Sequence, residues 1–504
     1  MLSRTVRISA RQWQQCRYSS TVALNECLSA IDAYNSEINA FTSINDRALL
    51  HKKALESDAR QTNGTLKSEL DGTTIAIKDN FCTTFLPTTC ASIMLKDFTS
   101  PYDATVVKLL DDAGALIMGK TNMDEFGMGS ANIHSVFGPV INPCSHGDEI
   151  KRSAGGSSGG SAASVAMNMC TAALGSDTGG SVRMPASYCG LVGFKPSYGR
   201  CSRHGLVAYA NSLDTVGILT RNVQDCSKGN LDIISNYDIQ DPTSIPNELR
   251  TELDANDTQL SLQFQDDLKG LVVGVPQEFY VDSLSDEVLD VWRKGIQHLE
   301  SLGAKIISVS IPHVSLALPA YYIIALAEAS SNLARYDGIR YGHRSPDNED
   351  HLLYEETRSS GFGDEVKKRI LLGTHVLTAG TYETLFLPAQ SARRLIQKEF
   401  NGVFKQPNLL YNENTQEGER ERAHILLVPS ATSEAPTLNN KKSGIDEYIN
   451  DVMTLPANLA GIPAITVPFR NTPNPIGLQL MGQYGYDQFL LRVADIMTSK
   501  KSPI

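Results

Sequence analysis

A glycine- and serine-rich stretch at residues 152–200 constrains the fold of this chain more than any other feature. It contains two glycine clusters, GGSSGG at 155–160 and GSDTGGS at 175–181, separated by an apolar run at 165–174. A flexible linker of this composition would stay polar throughout. We therefore predict two tight turns that each present a serine, with glycines allowing positive φ and close backbone approach, joined by a buried helix.

Two common catalytic motifs match the chain only formally. Residues 155–159 fit the GxSxG nucleophile elbow, which requires a strand directly before the serine, and the polar segment 146–154 has no strand pattern. Residues 114–121 fit the GxxxxGK[ST] phosphate-binding loop. The interior of that match, Ala-Leu-Ile-Met, is apolar and predicts a buried strand instead of a loop that exposes its amides.

The remaining patterns alternate helices and short apolar strands, which favours an α/β architecture. Apolar spacing predicts two amphipathic helices over 22–61 and a helix over 285–302. Strands are predicted at 71–80, at 268–275, at 304–309 and in two segments near the C-terminus. The polar segments 228–270 and 405–423 show little periodicity and are predicted to be surface insertions.

Three short motifs, in order along the chain, resemble the amidase signature family. They are IAIKDN at 75–80, GGSSGGSA at 155–162 and GSDTGGSVR at 175–183, and the resemblance extends from about residue 25 to the C-terminus. It implies one large domain over 21–504, with an N-terminal helical flank and a mixed β-sheet core covered by helices on both faces. Ala154 stands where family members commonly have proline, which affects only the rigidity of a local turn.

The resemblance implies a Ser-Ser-Lys catalytic triad made of Lys78, Ser157 and Ser181. A serine hydroxyl needs a base to become a good nucleophile, and a lysine can act as that base only when it is neutral. Burial can lower the pKa of a lysine from about 10.4 toward neutrality, and Lys78 ends an apolar run that suits a desolvated strand. The glycine-rich turn is expected to stabilise an oxyanion through the backbone N–H groups of Thr178, Gly179, Gly180 and Ser181.

Within the family, NMDEFGMGS at 122–130 and the stretches 188–225, 321–342 and 365–380 are similar to members that serve as the glutaminase of a tRNA-dependent amidotransferase. This implies hydrolysis of glutamine through a seryl ester, with the ammonia used to convert Glu-tRNA(Gln) to Gln-tRNA(Gln). It implies two partners: a kinase/transamidase, which uses ATP and Mg²⁺ and holds the tRNA, and a small stabilising protein. It implies no cofactor in this chain. A stand-alone amidase acting on another small amide is the alternative.

Free glutamine carries an ammonium and a carboxylate, and either group would be costly to bury in a closed pocket without a partner. The resemblance implies Arg369 for the α-carboxylate and Asp451 for the α-ammonium. Tyr322 is an alternative to the tyrosine before it, and a one-residue shift within the basic run 367–369 would change the assignment. The substrate-binding residues implied are Ser130, Tyr321, Arg369 and Asp451.

Residues 1–20 have the composition of a mitochondrial presequence. They contain Arg4, Arg7, Arg11 and Arg17 together with several serines, and no acidic residue occurs before Glu26. We therefore expect import into the mitochondrial matrix. The nine cysteines include no CxxC pair, which indicates reduced thiols, and no metal-ligand spacing is present.

The charge balance limits the partners that this chain can bind directly. The net charge is −11, so a broad cationic face for nucleic acid is not expected, and neither is tight direct binding of tRNA. No apolar run in the sequence approaches the roughly 18 residues that a membrane span requires. Charge and hydropathy therefore favour neither direct tRNA binding nor a membrane span.

Overall fold

The computed structural model describes residues 19–264, 267–346, 353–411, 421–439 and 449–500. The predicted presequence therefore lies almost wholly outside the described residues. Within them, one mixed sheet of eleven strands forms the centre of the molecule. The strands are β1 (Phe41–Ile44), β2 (Thr74–Lys78), β3 (Leu116–Thr121), β4 (Ala172–Asp177), β5 (Val192–Lys195), β6 (Thr215–Thr220), β7 (Val272–Pro276), β8 (Lys305–Val309), β9 (Ile425–Pro429), β10 (Ala464–Arg470) and β11 (Ile476–Gly482).

Helices precede, follow and connect these strands. The main ones are α1 (Ser20–Ile38), α2 (Arg47–Asn63), α3 (Thr105–Asp112), α4 (Gly159–Ala166), α5 (Arg183–Cys189), α6 (Asn247–Ser261), α7 (Asp286–Ser301), α8 (Ala317–Asn332), α9 (Glu355–Gly361), α10 (Asp364–Val376), α11 (Leu387–Val403), α12 (Leu455–Ala460) and α13 (Asp487–Ser499). The helices predicted at the N-terminus correspond to α1 and α2, and the predicted strand–helix–strand unit near residue 300 corresponds to β7, α7 and β8.

The order of the strands places the glycine-rich turns at one edge of the sheet. The order is β1-β3-β2-β4-β6-β5-β10-β11-β9-β7-β8. β2 runs parallel to both β3 and β4, so the carboxyl ends of β2 and β4 meet at the same edge. Lys78 is the last residue of β2, and Ser176 and Asp177 end β4. Groups distant in sequence are thereby brought together.

Alternate residues of the central strands contribute their side chains to two apolar cores on opposite faces of the sheet. Ile75 and Ile77 of β2 belong to the larger core, whereas Ala76 belongs to the smaller one. The smaller core is closed by α1, α2 and α4, and the larger core includes α7, α8 and α13. The predicted mixed sheet with helices on both faces is confirmed.

The segment that formally matches a phosphate-binding loop is a strand, as predicted. All six residues of β3 are buried. Lys120, the lysine of the match, is fully buried and donates to the carbonyl oxygen of Phe81 at 2.5 Å and to Thr88 Oγ1 at 3.0 Å. Its ammonium group therefore ties β3 to the segment that follows β2.

A buried helix does lie between the two serine-bearing turns, but it covers Gly159–Ala166, and most of the apolar run 165–174 does not belong to it. α4 ends at Ala166, Asn168 takes a left-handed conformation with φ 57°, and the chain then forms β4 in the middle of the sheet. A short buried apolar run is compatible with either a helix or a strand, because every side of it is covered and no periodicity remains to separate them. Pairing of β4 with β2 and β6 decides the matter.

The polar segment 228–270 is also more ordered than its composition predicts. It contains α6, where Leu253 is buried and the carboxylate of Asp257 accepts the N–H groups of Gln488 and Phe489, at the start of α13, at 2.7 Å each. Tertiary contacts with α13 stabilise this helix. The second segment predicted as an insertion, 405–423, includes residues 412–420, which lie outside the described residues.

Among the described residues, one segment is long and apolar enough to cross a membrane by length and composition alone. It is Pro312–Arg335, which contains α8. Within it, 56% of an apolar stretch of 18 residues is buried inside the protein. α8 packs against α10 and α11. Core helices pass the same test of length and composition, so this segment is weak evidence for a membrane span.

The packing of α7 on the sheet generates a stability prediction. Leu478 of β11 is fully buried, and α7 approaches it through Gly295, where a Cβ would lie 2.2 Å from Leu478 Cδ1. A Leu478→Ala substitution should lower the free energy of unfolding by about 2–5 kcal/mol, because the cavity it leaves cannot collapse. Leu371, which is 72% exposed, provides the control. Leu371→Ala should change the free energy of unfolding by less than about 0.5 kcal/mol. Urea unfolding measures both, and equal losses would contradict the packing described.

Candidate active site

Lys78 lies at the centre of the site, fully buried at the end of β2. Its Nζ lies 2.8 Å from Ser157 Oγ, 2.9 Å from Ser176 Oγ and 3.3 Å from the carbonyl oxygen of Ser176. Asn80 Nδ2 also donates to Ser176 Oγ, at 2.9 Å. A neutral amine has two N–H groups and one lone pair, so Nζ can donate twice to Ser176 and accept from Ser157.

Burial lowers the pKa of Lys78 from 10.5 to about 7, because the charged form loses its hydration. The carboxylates of Asp124, Asp177 and Asp214 act in the opposite direction and keep the pKa from falling further. A substantial fraction of the amine is therefore neutral near pH 7. Such an amine can act as a base toward a hydroxyl group.

Ser157 lies between Lys78 and the second glycine turn. Its side chain is buried, the preceding peptide bond, Gly156–Ser157, is cis, and its carbonyl oxygen accepts the N–H of Asp124 at 3.3 Å. The next residue, Ser158, donates its N–H to the carbonyl oxygen of Ser181 at 3.1 Å. The two serine-bearing turns are thus joined directly through the backbone, and the structure brings Lys78, Ser157 and Ser181 into one neighbourhood.

A buried ion pair shapes the turn that carries Ser181. The carboxylate of Asp177 accepts from Arg183 Nη2 at 2.8 Å and from Arg183 Nε at 3.0 Å, and both side chains are inaccessible to solvent. Burial alone would raise the pKa of Asp177, but the Arg183 guanidinium holds it well below its ordinary value. The same carboxylate accepts the N–H groups of Gly180 at 2.9 Å and Val182 at 3.1 Å.

These contacts correct one part of the expected oxyanion site. The N–H of Gly180 is engaged by Asp177 and is not free to stabilise an oxyanion. In the described part of the chain, the N–H groups of Gly179 and Ser181 donate to no protein acceptor. Thr178 is held by its hydroxyl, which donates to Asp214 Oδ1 at 2.7 Å. The sequence could not show this, because the position of a side-chain carboxylate relative to a turn is set by the fold.

A cavity opens beside Ser181. All four residues named as substrate-binding, Ser130, Tyr321, Arg369 and Asp451, line it. Tyr322 lines it as well, so the structure does not choose one tyrosine of the pair. The remaining lining residues form the glycine-rich walls: Gly127, Gly129, Gly156, Gly179 and Gly180.

The charged residues of the cavity are held by other side chains. Arg369 Nε donates to Glu365 Oε1 at 2.7 Å, and its Nη1 donates to the hydroxyl of Tyr209 at 2.9 Å. Tyr322 donates its hydroxyl to Asp451 Oδ2 at 2.8 Å. Arg369 and Asp451 are each less than one-tenth exposed. The cavity therefore combines a fixed cation and a fixed carboxylate, both of them largely buried.

Several residues that build the site were not found from the sequence. Ser176 is the second hydroxyl on Lys78, Tyr209 orients Arg369, and Thr454 lies against the Ser181 turn. Ser176 and Asp177 lie inside the motif GSDTGGS, a few residues before Ser181. This proximity could have marked them as site residues. Tyr209 lies within the stretch 188–225 and Thr454 follows Asp451 by three residues, but no motif marks either residue, and only the fold reveals their contacts. Among the described residues, no group of three or more His, Cys, Asp and Glu side chains is placed to hold a metal ion.

The amidase family model matches residues 23–491, which is most of the chain. The chain belongs to the amidase family. The match covers the glycine-rich turns, Lys78 and the cavity-lining residues described above.

Several proteins of the amidase family resemble the chain along most of its length. The A subunit of the mitochondrial glutamyl-tRNA(Gln) amidotransferase of Tuber melanosporum is 48% identical over 469 residues, covering 91% of this chain and 92% of that protein. The A subunit of the glutamyl-tRNA(Gln) amidotransferase of Chromohalobacter salexigens is 43% identical over 479 residues, covering 95% of this chain and 92% of that protein. The crystal structure of the corresponding protein from Thermotoga maritima, 34% identical, superposes with a TM-score of 0.75 and covers 98% of this chain and 95% of that one.

The pKa of Lys78 generates a prediction about reactivity. A small electrophile that mimics an amide should acylate Ser181 at a rate that falls about tenfold per pH unit below pH 7 and levels off above it, because only the neutral amine accepts a proton. Quenched-flow labelling followed by mass spectrometry measures the rate.

Lys195 provides a matched control. It is buried, its pKa is also lowered to about 7, and it donates to the carbonyl oxygens of Pro196 and Ile462 outside the cavity. Lys195→Met should keep the inflection near pH 7, whereas Lys78→Met should abolish labelling. A profile that stays flat from pH 5 to 9 would show that Lys78 is not the base.

Proposed function

We propose that this chain is the glutaminase component, the A subunit, of a glutamyl-tRNA(Gln) amidotransferase. One observation carries the proposal: a single cavity holds Ser181 together with Arg369 and Asp451. A buried guanidinium and a buried carboxylate in one small cavity complement the two charged groups of a free α-amino acid. The names of the similar proteins from Tuber melanosporum and Chromohalobacter salexigens support the same function.

In this proposal Arg369 binds the α-carboxylate of glutamine and Asp451 binds its α-ammonium. The side-chain amide then extends toward Ser181, along walls that include Ser130 and the aromatic ring of Tyr321 or Tyr322. Glycine-lined walls let the backbone approach the substrate closely. A substrate without the charged groups would make neither of these two charge-assisted contacts, which disfavours simple amides.

The reaction begins with the transfer of two protons. Neutral Lys78 takes the proton of Ser157, Ser157 takes the proton of Ser181, and Ser181 Oγ bonds to the carboxamide carbon of glutamine. The N–H groups of Gly179 and Ser181, with that of Thr178, stabilise the oxyanion that forms on the amide oxygen. When the carbon–nitrogen bond breaks, Ser157 returns a proton to the departing nitrogen, so that ammonia leaves and a γ-glutamyl ester of Ser181 remains.

Water then completes the cycle. The same lysine and serine remove a proton from a water molecule, which attacks the ester carbon, and Ser181 recovers its proton as glutamate leaves. The protein supplies a preorganised base and oxyanion donors in a buried site, where electrostatic stabilisation is stronger than in water. Ammonia is the product that the amidotransferase consumes.

Partners and location follow from the same proposal. A kinase/transamidase partner, the B subunit, binds the tRNA and uses ATP and Mg²⁺, and a small third protein stabilises the assembly, whereas this chain contributes the ammonia. The net charge of −11 supports leaving tRNA binding mainly to the partner. The arginine-rich, acid-poor N-terminus and the mitochondrial names of several similar proteins support residence in the mitochondrial matrix.

A covalent test addresses the role of Ser181. The full chain, assembled with its partner subunits, should be labelled at Ser181 by a glutamine-mimicking electrophile, and Ser181→Ala should lose glutaminase activity by several orders of magnitude. Activity should rise when the partner subunits and Glu-tRNA(Gln) are added, because the glutaminase serves the acceptor. A label on another side chain would refute the assigned role, and indifference to partners and tRNA would favour a stand-alone amidase.

A second test addresses the glutamine pocket. Arg369→Gln and Asp451→Asn should each lower kcat/KM for glutamine about 30-fold or more, mainly through KM, because each leaves one charge of the substrate buried and unpaired. Lys367, on the same helix but 43% exposed and paired with Asp364 at 2.9 Å, is the matched control. Lys367→Gln should change KM less than about twofold. Equal effects at positions 367 and 369 would remove the evidence for a carboxylate site.

A further inference from the structure

Thr454 lies between the Ser181 turn and the short helical turn Ile449–Met453 that carries Asp451. Its side chain is fully buried. Its hydroxyl donates to the carbonyl oxygen of Gly179 at 2.6 Å and lies 3.1 Å from the carbonyl oxygen of Asp451, which also accepts the N–H of Thr454 at 3.0 Å. One hydroxyl thus contacts both the turn that holds the nucleophile and the segment that holds the carboxylate of the pocket.

The contact with Gly179 restrains a particular peptide group. The carbonyl of Gly179 and the N–H of Gly180 belong to the same planar unit. Thr454 holds the carbonyl end, and Asp177 holds the N–H end at 2.9 Å. The N–H groups of Gly179 and Ser181 belong to the two adjoining peptide units, so holding both ends of this plane restricts their directions. Both belong to the set of amides proposed above to stabilise the oxyanion.

The fit between Thr454 and the turn leaves little freedom for movement. Gly180 has φ 129°, a conformation that favours glycine, and a Cβ at that position would lie 2.1 Å from Thr454 Oγ1. Arg183 Nη1 donates to the carbonyl oxygen of Thr454 at 2.9 Å. The threonine is therefore fixed by its own backbone as well as by its hydroxyl.

We infer that Thr454 is a positioning residue for amide hydrolysis: its hydroxyl aligns the oxyanion-binding turn with the segment that carries Asp451. This inference rests on the proposed glutaminase function. Thr454 does not line the cavity, so it acts through Gly179 and Asp451 and not by touching glutamine.

The experiment compares Thr454→Val, which keeps the shape and removes the hydroxyl, with Thr454→Ser, which keeps the hydroxyl. In the assembled complex, Thr454→Val should lower kcat for glutamine about 10- to 100-fold, somewhat less than the direct loss of an oxyanion donor, and raise KM several-fold. Thr454→Ser should stay within about threefold of the unmodified protein in both constants. Rates are normalised to the fraction of chains that a glutamine-mimicking electrophile labels at Ser181, which removes the effect of misfolded protein.

Thr466 provides the control for a purely structural loss. It is equally buried and pairs through its hydroxyl with Ser430 Oγ at 2.9 Å, in β10. Thr466→Val should lower the melting temperature about as much as Thr454→Val, with kcat and KM within about twofold of the unmodified protein. The inference is overturned if the kinetic constants of Thr454→Val match those of Thr466→Val, or if Thr454→Ser is as slow as Thr454→Val. An unmodified complex that leaves glutamine intact would overturn the proposed function itself.

Discussion

The removal of one lysine from water is the constraint on which this site depends. Lys78 ends β2 in the interior, and burial brings the pKa of its amine to about 7. Hydroxyl and carbonyl groups of Ser157 and Ser176 then satisfy its hydrogen bonds, and no carboxylate of the described residues forms a salt bridge with it. A salt bridge there would keep the amine charged and useless as a base. The parallel arrangement of β2 and β4 is what makes this possible, because it places Ser176 next to the end of β2.

A second buried interaction joins the two halves of the chain around the nucleophile. Arg183 pairs with Asp177 and also donates to the carbonyl oxygen of Thr454 and to Gln479 Oε1 at 2.6 Å. Those partners lie 271 and 296 residues away in sequence. Removing either member of such a pair would leave an uncompensated charge in the interior, so the turn and the C-terminal strands hold their relative positions.

The residues of the pocket come from elements that lie far apart along the chain. Tyr321 and Tyr322 come from α8, Arg369 from α10 and Asp451 from a short turn before α12. α8 and α10 pack against each other, which fixes the tyrosines relative to the arginine. The hydrogen bonds of Arg369 with Glu365 and Tyr209 hold its guanidinium before any ligand arrives, so less conformational freedom is lost on binding.

The sequence by itself determined the α/β class, the two serine-bearing turns, the strand that ends in Lys78 and the family, because these depend on local composition and on short motifs in fixed order. It did not determine that residues 172–177 form a central strand, that α6 packs on α13, or that the N–H of Gly180 is taken by Asp177. Those outcomes depend on which strands pair and on where side chains meet across long stretches of intervening chain. Tyr209 and Thr454 illustrate the same limit. Their roles come from contacts with residues that are distant in sequence. Such contacts form only when the sheet and its helices pack together, so the residues next to Tyr209 or Thr454 in sequence do not reveal them.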